Sequence, residues 1–150
     1  MKQMVDAYHR LGGNLLSVLE VPMDEVSSYG VIAPGARDGE ITEVRGLVEK
    51  PKVADAPSNL IISGRYILQP DVMRVLEQQE KGAGGEIQLT DAMARMIGTQ
   101  PFNAVTFAGE RFDCGSKTGY IEANLAVALS RPDMASDVRR IARQLLDAAE

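Results

Sequence analysis

Apolar residues along the chain fall into two kinds of segment. Nearly continuous apolar runs predict buried strands, because a strand covered on both faces carries apolar side chains on each. The predicted strands, including two that flank a turn at residues 34–39, lie at residues 15–21, 29–33, 40–48, 60–68 and 102–107. Apolar residues three and four positions apart predict helices. These helices lie at residues 2–11, 70–82 and 90–98, and from Ser116 onward to a terminal helix after Pro132. The alternation predicts an α/β fold, with a largely parallel or mixed sheet flanked by helices.

Composition and charge exclude several classes of protein. The 150 residues carry 16 Lys and Arg against 21 Asp and Glu, a net charge of −5. This balance argues against a nucleic-acid or membrane-surface binder, because phosphate contacts need clustered Lys and Arg. We expect a cytoplasmic protein with no anchor, since no uninterrupted apolar run approaches about 18 residues.

Cysteine and histidine are too scarce for several kinds of chemistry. Cys114 is the only cysteine and His9 the only histidine. An intrachain disulfide is therefore impossible, and a histidine metal site or a Ser-His-Asp triad is close to excluded. We expect Cys114 to be a small buried residue, because no histidine is placed to activate it.

The first candidate for chemistry lies at the end of the predicted strand 40–48. Glu49 and Lys50 stand side by side there, before Pro51. Glu49 can accept hydrogen bonds from sugar hydroxyls, and Lys50 can hold a phosphate as a point charge. The alternative is a solvated strand end with an exposed ion pair, which the spacing alone favours.

The second candidate is a glycine-rich stretch at residues 82–85. Backbone N–H groups in such a loop can bind anions, but the neighbouring Glu86 would repel one. We therefore interpret the stretch as a connector to a helix with Thr90 as its N-cap.

The third candidate is Asp113, which we expect at the end of a strand and just before a helix. A carboxylate in this position can bind Mg²⁺, which needs only one or two protein carboxylates when substrate phosphates supply other ligands. The alternative is that Asp113 caps the helix and binds no metal. Local sequence does not separate the two.

Six short motifs follow one another along residues 2–129. They are Ser28-Tyr29-Gly30-Val31, Gly46-Leu47-Val48-Glu49-Lys50-Pro51, Pro57-Ser58-Asn59-Leu60, Gly64-Arg65-Tyr66-Ile67-Leu68, Gly84-Gly85-Glu86-Ile87-Gln88-Leu89-Thr90-Asp91-Ala92 and Arg111-Phe112-Asp113-Cys114-Gly115-Ser116-Lys117. In content and order they resemble bacterial UTP:glucose-1-phosphate uridylyltransferases, also called UDP-glucose pyrophosphorylases. Several motifs of this length in one order are far more specific than any single motif.

The resemblance implies a Rossmann-like sugar-nucleotidyltransferase fold and the conversion of UTP and glucose 1-phosphate into UDP-glucose and diphosphate, with Mg²⁺. The residues that it implies in substrate binding are Tyr29, Gly30, Glu49, Lys50, Ile62 and Tyr66. Among them, Glu49 would bind glucose hydroxyls and Lys50, the implied catalytic residue, would bind the sugar phosphate. Asp113 would help to hold Mg²⁺. The stretch from Gly84 to Asp91 is typical of the family, and we assign it no catalytic role.

The glycine-rich nucleotide loop of this family is absent from the sequence. We therefore expect the chain to be the carboxyl-terminal portion of such an enzyme, with residues 1–131 as the sugar-binding part and residues 132–150 as a terminal helix. The expected ligands are glucose 1-phosphate and UDP-glucose, with UTP bound only together with an amino-terminal half. No nucleic-acid or membrane partner is expected.

A sheet cut in this way would expose a strand edge. We therefore expect a homo-oligomer, or pairing with an amino-terminal half, and no turnover by the chain alone. The alternative function is a non-catalytic sugar-nucleotide-binding or subunit-pairing module.

Overall fold

The computed structural model describes residues 1–81 and 85–148. Its helices are α1 (Lys2–Leu11), α2 (Asp71–Glu77), α3 (Leu89–Met96), α4 (Lys117–Ser130) and α5 (Ala135–Asp147). Its strands are β1 (Asn14–Glu20), β2 (Gly30–Asp38), β3 (Ile41–Glu49), β4 (Leu60–Ile67) and β5 (Phe102–Thr106). Short 3₁₀ helices cover Met23–Ser28 and Val53–Asp55. The chain divides into two compact units, Met1–Ala108 and Gly109–Glu150.

In the first unit, the strands that the structure describes close into a barrel in the order β1-β4-β2-β3-β5. β1 and β5 run parallel, and every other neighbouring pair is antiparallel. The predicted mixed sheet is therefore confirmed. The predicted exposed edge is wrong for these strands, because β1 pairs with β4 on one side and β5 on the other and so closes the sheet.

The hairpin of β2 and β3 is longer than the sequence predicts. β2 continues through the predicted turn to Asp38, which pairs with Ile41. Register shifts on both sides of Pro34 accommodate this residue, which has no N–H for the ladder and is tolerated at irregularities. Gly39, at φ 58°, makes the tight turn.

Strand β1 is buried on both faces, whereas β3 alternates between buried and exposed residues. The main apolar cluster joins strand residues to α2 and α3, and it contains Leu16, Val18, Ile32, Leu60, Ile62, Val72, Met93 and Phe102. Alternate strand residues pack in two smaller clusters. Leu15 and Val105 contact α1 at Met4, while Val31 and Ile61 lie with Val26. The prediction of a strand buried on both faces is thus confirmed for β1, whose first five residues are all buried.

The second unit contains α4 and α5. Ser116 caps α4, since its Oγ accepts a hydrogen bond from the backbone N–H of Gly119 at 3.0 Å. Gly119 is the only buried residue among those described in this unit. The functional division predicted at residue 131 stays a prediction, although α5 groups with α4 in the structure. Across residues 1–81 and 85–148, no helix has the length and apolar character needed to cross a membrane.

Candidate functional site

The ends of β2 and β3 place Gly30 beside Glu49. The two residues are direct partners in the antiparallel ladder. The pairing continues one step further, because the N–H of Lys50 donates to the carbonyl oxygen of Tyr29 at 3.0 Å. Four of the predicted substrate-binding residues, Tyr29, Gly30, Glu49 and Lys50, therefore lie together at this end of the ladder.

A hydrogen bond from α3 holds the Glu49 side chain. Thr90 Oγ1 donates to Glu49 Oε2 at 2.7 Å, a charge-assisted distance. Glu49 is half-buried and Thr90 is 7% exposed. The prediction that Thr90 caps the helix is wrong: α3 begins at Leu89 with Gln88 at the N-cap position. The Thr90 hydroxyl reaches across to the carboxylate instead of back to its own helix.

Gly30 provides the space for this arrangement. A Cβ atom at Gly30 would lie 3.0 Å from Glu49 Oε2, 3.2 Å from Ile62 Cδ1 and 3.3 Å from Thr90 Oγ1. All three distances are tighter than ordinary van der Waals contact. The bare backbone of β2 therefore lies directly against the Glu49–Thr90 pair, with Ile62 beside it.

The Glu49 carboxylate also affects the pKa of Tyr66. Tyr66 is partly buried and packs against the main apolar cluster. Burial, and secondly the negative charge of Glu49, raise the pKa of Tyr66 above its ordinary value of 10.0. Its phenol is therefore neutral at physiological pH and retains a proton that it can donate.

Lys50 adopts an unusual backbone conformation. Its φ of 46° is the only positive value at a non-glycine residue among the described residues. This left-handed conformation costs about 1–2 kcal/mol for a residue with a Cβ. The regular strand conformation of β3 therefore ends at Glu49. The Lys50 residue is exposed, and Pro51 after it is buried.

Tyr29 and Ile62 lie mostly in apolar surroundings. Tyr29 is partly buried against the small cluster that contains Val26 and Val31. Ile62 is 8% exposed and belongs to the main cluster. Their apolar surface supports the backbone on which Gly30 and Glu49 stand.

Asp113 belongs to the second unit, and its predicted position at a strand end is wrong. It lies in a loop, where its Oδ1 accepts a hydrogen bond from the N–H of Gly115 at 3.0 Å. Ser116, not Asp113, caps the following helix. Cys114 is exposed, so the prediction that it is buried is also wrong. The local turn, not a strand, therefore sets the direction of the Asp113 carboxylate.

The described residues contain no group of three His, Cys, Asp or Glu side chains that could hold a metal ion together. The predicted glycine loop at residues 82–85 lies largely outside the described residues, which omit positions 82–84.

A groove of about 520 Å³ on the barrel lies elsewhere, lined by residues 43–45 and 97–103. Its charged groups are already paired. Glu43 Oε2 accepts hydrogen bonds from Ala36 N at 3.1 Å and Arg45 Nε at 3.0 Å. The Glu49 cluster is the better candidate site, because it combines a half-buried carboxylate, a glycine and a strained lysine.

Thr90 is the residue of the candidate site that the sequence did not predict there. Its partner Glu49 is 41 positions away in sequence. A hydroxyl residue near a helix start has the composition of an N-cap, so no local signal distinguishes the two roles. Only its place in a motif typical of the family pointed to it.

Several known proteins are similar to this chain in sequence and in fold. The chain is 55% identical over 115 residues to the UTP–glucose-1-phosphate uridylyltransferase of Komagataeibacter xylinus, covering 77% of this chain and 40% of that protein. It is 46% identical over 145 residues to the enzyme of the same name from Staphylococcus epidermidis, covering 97% and 50%. A crystal structure of UDP-glucose pyrophosphorylase complexed with UDP-glucose superimposes with a TM-score of 0.81 at 42% identity, covering 87% and 49%.

The chain spans about half the length of these relatives. The prediction that the chain is their carboxyl-terminal portion is not supported by these matches. The α/β nucleotidyltransferase fold is confirmed. The family model described as nucleotidyl transferase matches residues 1–130, and the chain therefore belongs to the nucleotidyl transferase family.

Proposed function

We propose that this chain supplies the sugar-phosphate-binding part of a UTP:glucose-1-phosphate uridylyltransferase. The observation that carries the proposal is the cluster in which Gly30, Glu49 and Thr90 meet beside Lys50. The names of the relatives support the substrate class. Because the chain spans about half their length, we propose that turnover needs the remainder of a longer protein.

In this proposal, Glu49 accepts hydrogen bonds from glucose hydroxyls. Gly30 offers its backbone to the sugar, and Ile62 and Tyr66 line the apolar side of the ring. Tyr29 supports Gly30 from the neighbouring position. A charged carboxylate suits this role because charge-assisted hydrogen bonds are about twice as strong as neutral ones.

Lys50 would bind the phosphate of glucose 1-phosphate. The reaction joins a phosphate oxygen of the sugar to the α-phosphorus of UTP and releases diphosphate. Two anions must therefore approach each other, and a fixed ammonium group lowers their repulsion. The left-handed backbone of Lys50 is consistent with a functional constraint, since such strain persists where the surrounding structure imposes it.

Asp113 would hold Mg²⁺ as one protein ligand, with phosphate oxygens and waters as the others. One of its oxygens is oriented by the N–H of Gly115, and the residue is exposed. Such an exposed, oriented carboxylate fits an ion that keeps most of its coordination for substrate. When bound, Mg²⁺ neutralises phosphate charge.

Isothermal titration calorimetry tests the proposal with glucose 1-phosphate and UDP-glucose. Lys50→Ala should weaken binding at least about tenfold, as expected for a lost charge-assisted contact. The matched control Lys52→Ala, at an exposed lysine two positions later, should leave the affinity unchanged. Lys50→Gly should also lose affinity while relieving the backbone strain, which separates binding from folding. Absence of binding by the wild type would sink the proposal.

Diphosphate release with UTP, glucose 1-phosphate and Mg²⁺ tests the need for the rest of the protein. We expect no turnover by the chain alone. Robust turnover would overturn that part of the proposal and would place a complete active site within these residues.

A subunit-pairing module is the second candidate function. It is favoured by the exposed apolar side chains of the second unit, which include Ile121, Leu125, Val127, Leu145 and Leu146. Light scattering over a range of concentrations tests it. A dimer that binds no sugar phosphate would support pairing alone, and a monomer at every concentration would contradict it.

A further inference from the structure

We propose that Thr90 is a positioning residue that fixes the Glu49 carboxylate, so that Oε2 is held by the protein and Oε1 is left to read one sugar hydroxyl. This inference rests on the proposed function. It assigns a specificity role to a residue that would otherwise be part of the packing of α3.

The first step is the geometry of the pair. Thr90 Oγ1 donates to Glu49 Oε2 at 2.7 Å. The same Oε2 lies next to Gly30, at 3.0 Å from the position of a Cβ there. Oε2 is thus enclosed by a donor on one side and by the backbone of β2 on another. The hydrogen bond from Thr90 thus occupies Oε2, and Oε1 is the oxygen that this bond leaves for a ligand hydroxyl.

The second step is the rigidity of the donor. Thr90 is in the first turn of α3, and the helix is anchored by Ala92, Met93 and Met96 in the main apolar cluster. A β-branched side chain in a helix has few χ1 rotamers. The hydroxyl is therefore held on a helix that is packed into the core, as precise recognition requires.

The third step is the consequence for recognition. A carboxylate that rotates freely can accept hydrogen bonds from several directions, whereas one held at Oε2 presents Oε1 in one direction. A site built to accept from a particular hydroxyl discriminates against an analogue that lacks it, because the acceptor then stays unpaired. Fixing Glu49 therefore converts a general acceptor into a selective one.

Binding of glucose 1-phosphate and its single-deoxy analogues provides the first test. For the wild type, we expect one deoxy analogue to bind at least about tenfold more weakly than the parent compound. In Thr90→Val, the parent should weaken by about three- to tenfold and the ratio should fall towards one. Thr90→Ser, which keeps the hydroxyl, should restore both. An unchanged affinity and ratio in Thr90→Val would overturn the inference.

Thr42→Val is the matched control. Thr42 is also a buried threonine, on β3, but its hydroxyl has no hydrogen-bond partner among the described residues. The same loss of a hydroxyl should therefore leave both affinity and ratio unchanged. A comparable loss in Thr42→Val would assign the effect of Thr90→Val to general packing and overturn the positioning role.

A double-mutant cycle without ligand provides the second test. Thr90→Val and Glu49→Met each remove one partner, and their effects on the urea unfolding midpoint should be non-additive. The double variant should shift the midpoint no further than the larger single change. Strictly additive shifts would overturn the inference. Because no ligand is used, a wild-type chain that binds no sugar phosphate would sink the proposed function while this cycle still decides whether Thr90 holds Glu49.

Discussion

The barrel unit and the helical unit of this chain place similar apolar side chains in opposite environments. In Met1–Ala108, Leu15, Leu16 and Ile61 are fully buried. In Gly109–Glu150, Gly119 is the only buried residue among those described. Leu145 and Leu146 are 67% and 69% exposed. An apolar pattern is thus present in both units, but burial is achieved in only one.

The difference in burial shows what a closed sheet contributes to the core. The barrel strands pair into a closed sheet. Their apolar residues pack against α2 and α3 in one cluster and against α1 in another. Two helices joined end to end can bury little more than one seam between them, and the remaining apolar stripe needs another surface. The candidate site accordingly lies in the unit with a core, where packing holds Glu49 and Thr90 in place.

The largest expected difference is between matched leucines. Leu16→Ala in β1 should lower the free energy of unfolding by about 2–5 kcal/mol, because the side chain is fully buried. Leu125→Ala in α4, where the side chain is 44% exposed, should cost less than about 1 kcal/mol. Equilibrium urea denaturation measures both. Equal losses would mean that Leu125 is covered in solution and would break the comparison.

A smaller difference is expected between polar anchors of the two units. Asn14 is fully buried: its Oδ1 accepts from Gln69 N at 2.8 Å and its Nδ2 donates to Gln100 Oε1 at 3.0 Å. Asn14→Leu should cost about 2–3 kcal/mol of unfolding free energy, because it leaves buried partners unpaired. Ser116→Ala, which removes the cap of α4, should cost about 1 kcal/mol. Thermal and urea unfolding together check the order, and a larger loss for Ser116→Ala would contradict it.

One substitution in the barrel unit should raise its stability. Thr42 is 1% exposed and its hydroxyl has no partner among the described residues. Thr42→Val replaces this hydroxyl by a methyl group of similar size and should raise the unfolding free energy by about 1 kcal/mol. Thr118→Val at an exposed position of α4 should change it by less than about 0.5 kcal/mol. A destabilised Thr42→Val would indicate a hydrogen bond to an ordered water.

The smallest expected effect concerns alkaline pH. The pKa of Tyr66 is raised in the folded chain, first by burial and then by Glu49. The folded state therefore holds this proton more tightly than the unfolded state. The resulting contribution to stability is fully present below pH 10.0, the ordinary pKa, and is lost as pH rises through the folded-state pKa.

Ultraviolet absorbance of tyrosinate follows this ionisation. Tyr66→Phe should remove the ionisation step that occurs at the highest pH. The control Tyr120→Phe in the helical unit should leave that step in place. Glu49→Gln should lower the pKa of Tyr66 only in part, because burial is the larger cause. A return to the ordinary value in Glu49→Gln would show that charge, not burial, dominates in the barrel.

Local pattern was enough to predict most elements of the barrel unit. α1 begins at Lys2 and ends at Leu11, as its apolar spacing and the glycine after it predict. The ends of β1 and β5 lie within one residue of their predicted positions. The prediction was wrong at two places. Pro34 lies within a longer β2 and does not end the strand. Phe112 and Asp113 are not in a strand.

The candidate site divides in the same way. Glu49 and Lys50 were predicted from the chemistry of adjacent charges at a strand end, and their roles stay predictions. Thr90 was interpreted as a helix cap, because its preference for that position is local. Its actual partner depends on how α3 packs against β3, which no window of neighbouring residues encodes.

The amino-acid sequence was enough to predict the order and type of most elements, the scarcity of cysteine and histidine, and the motifs that resemble the family. These features depend on residues within about ten positions of one another, where hydrophobic periodicity and turn preference act. Three features are visible in the folded chain alone: the closed sheet, the position of Gly30 against Glu49, and the hydrogen bond from Thr90 to the Glu49 carboxylate. Those contacts join distant segments, and packing of the whole core selects them among many locally acceptable arrangements.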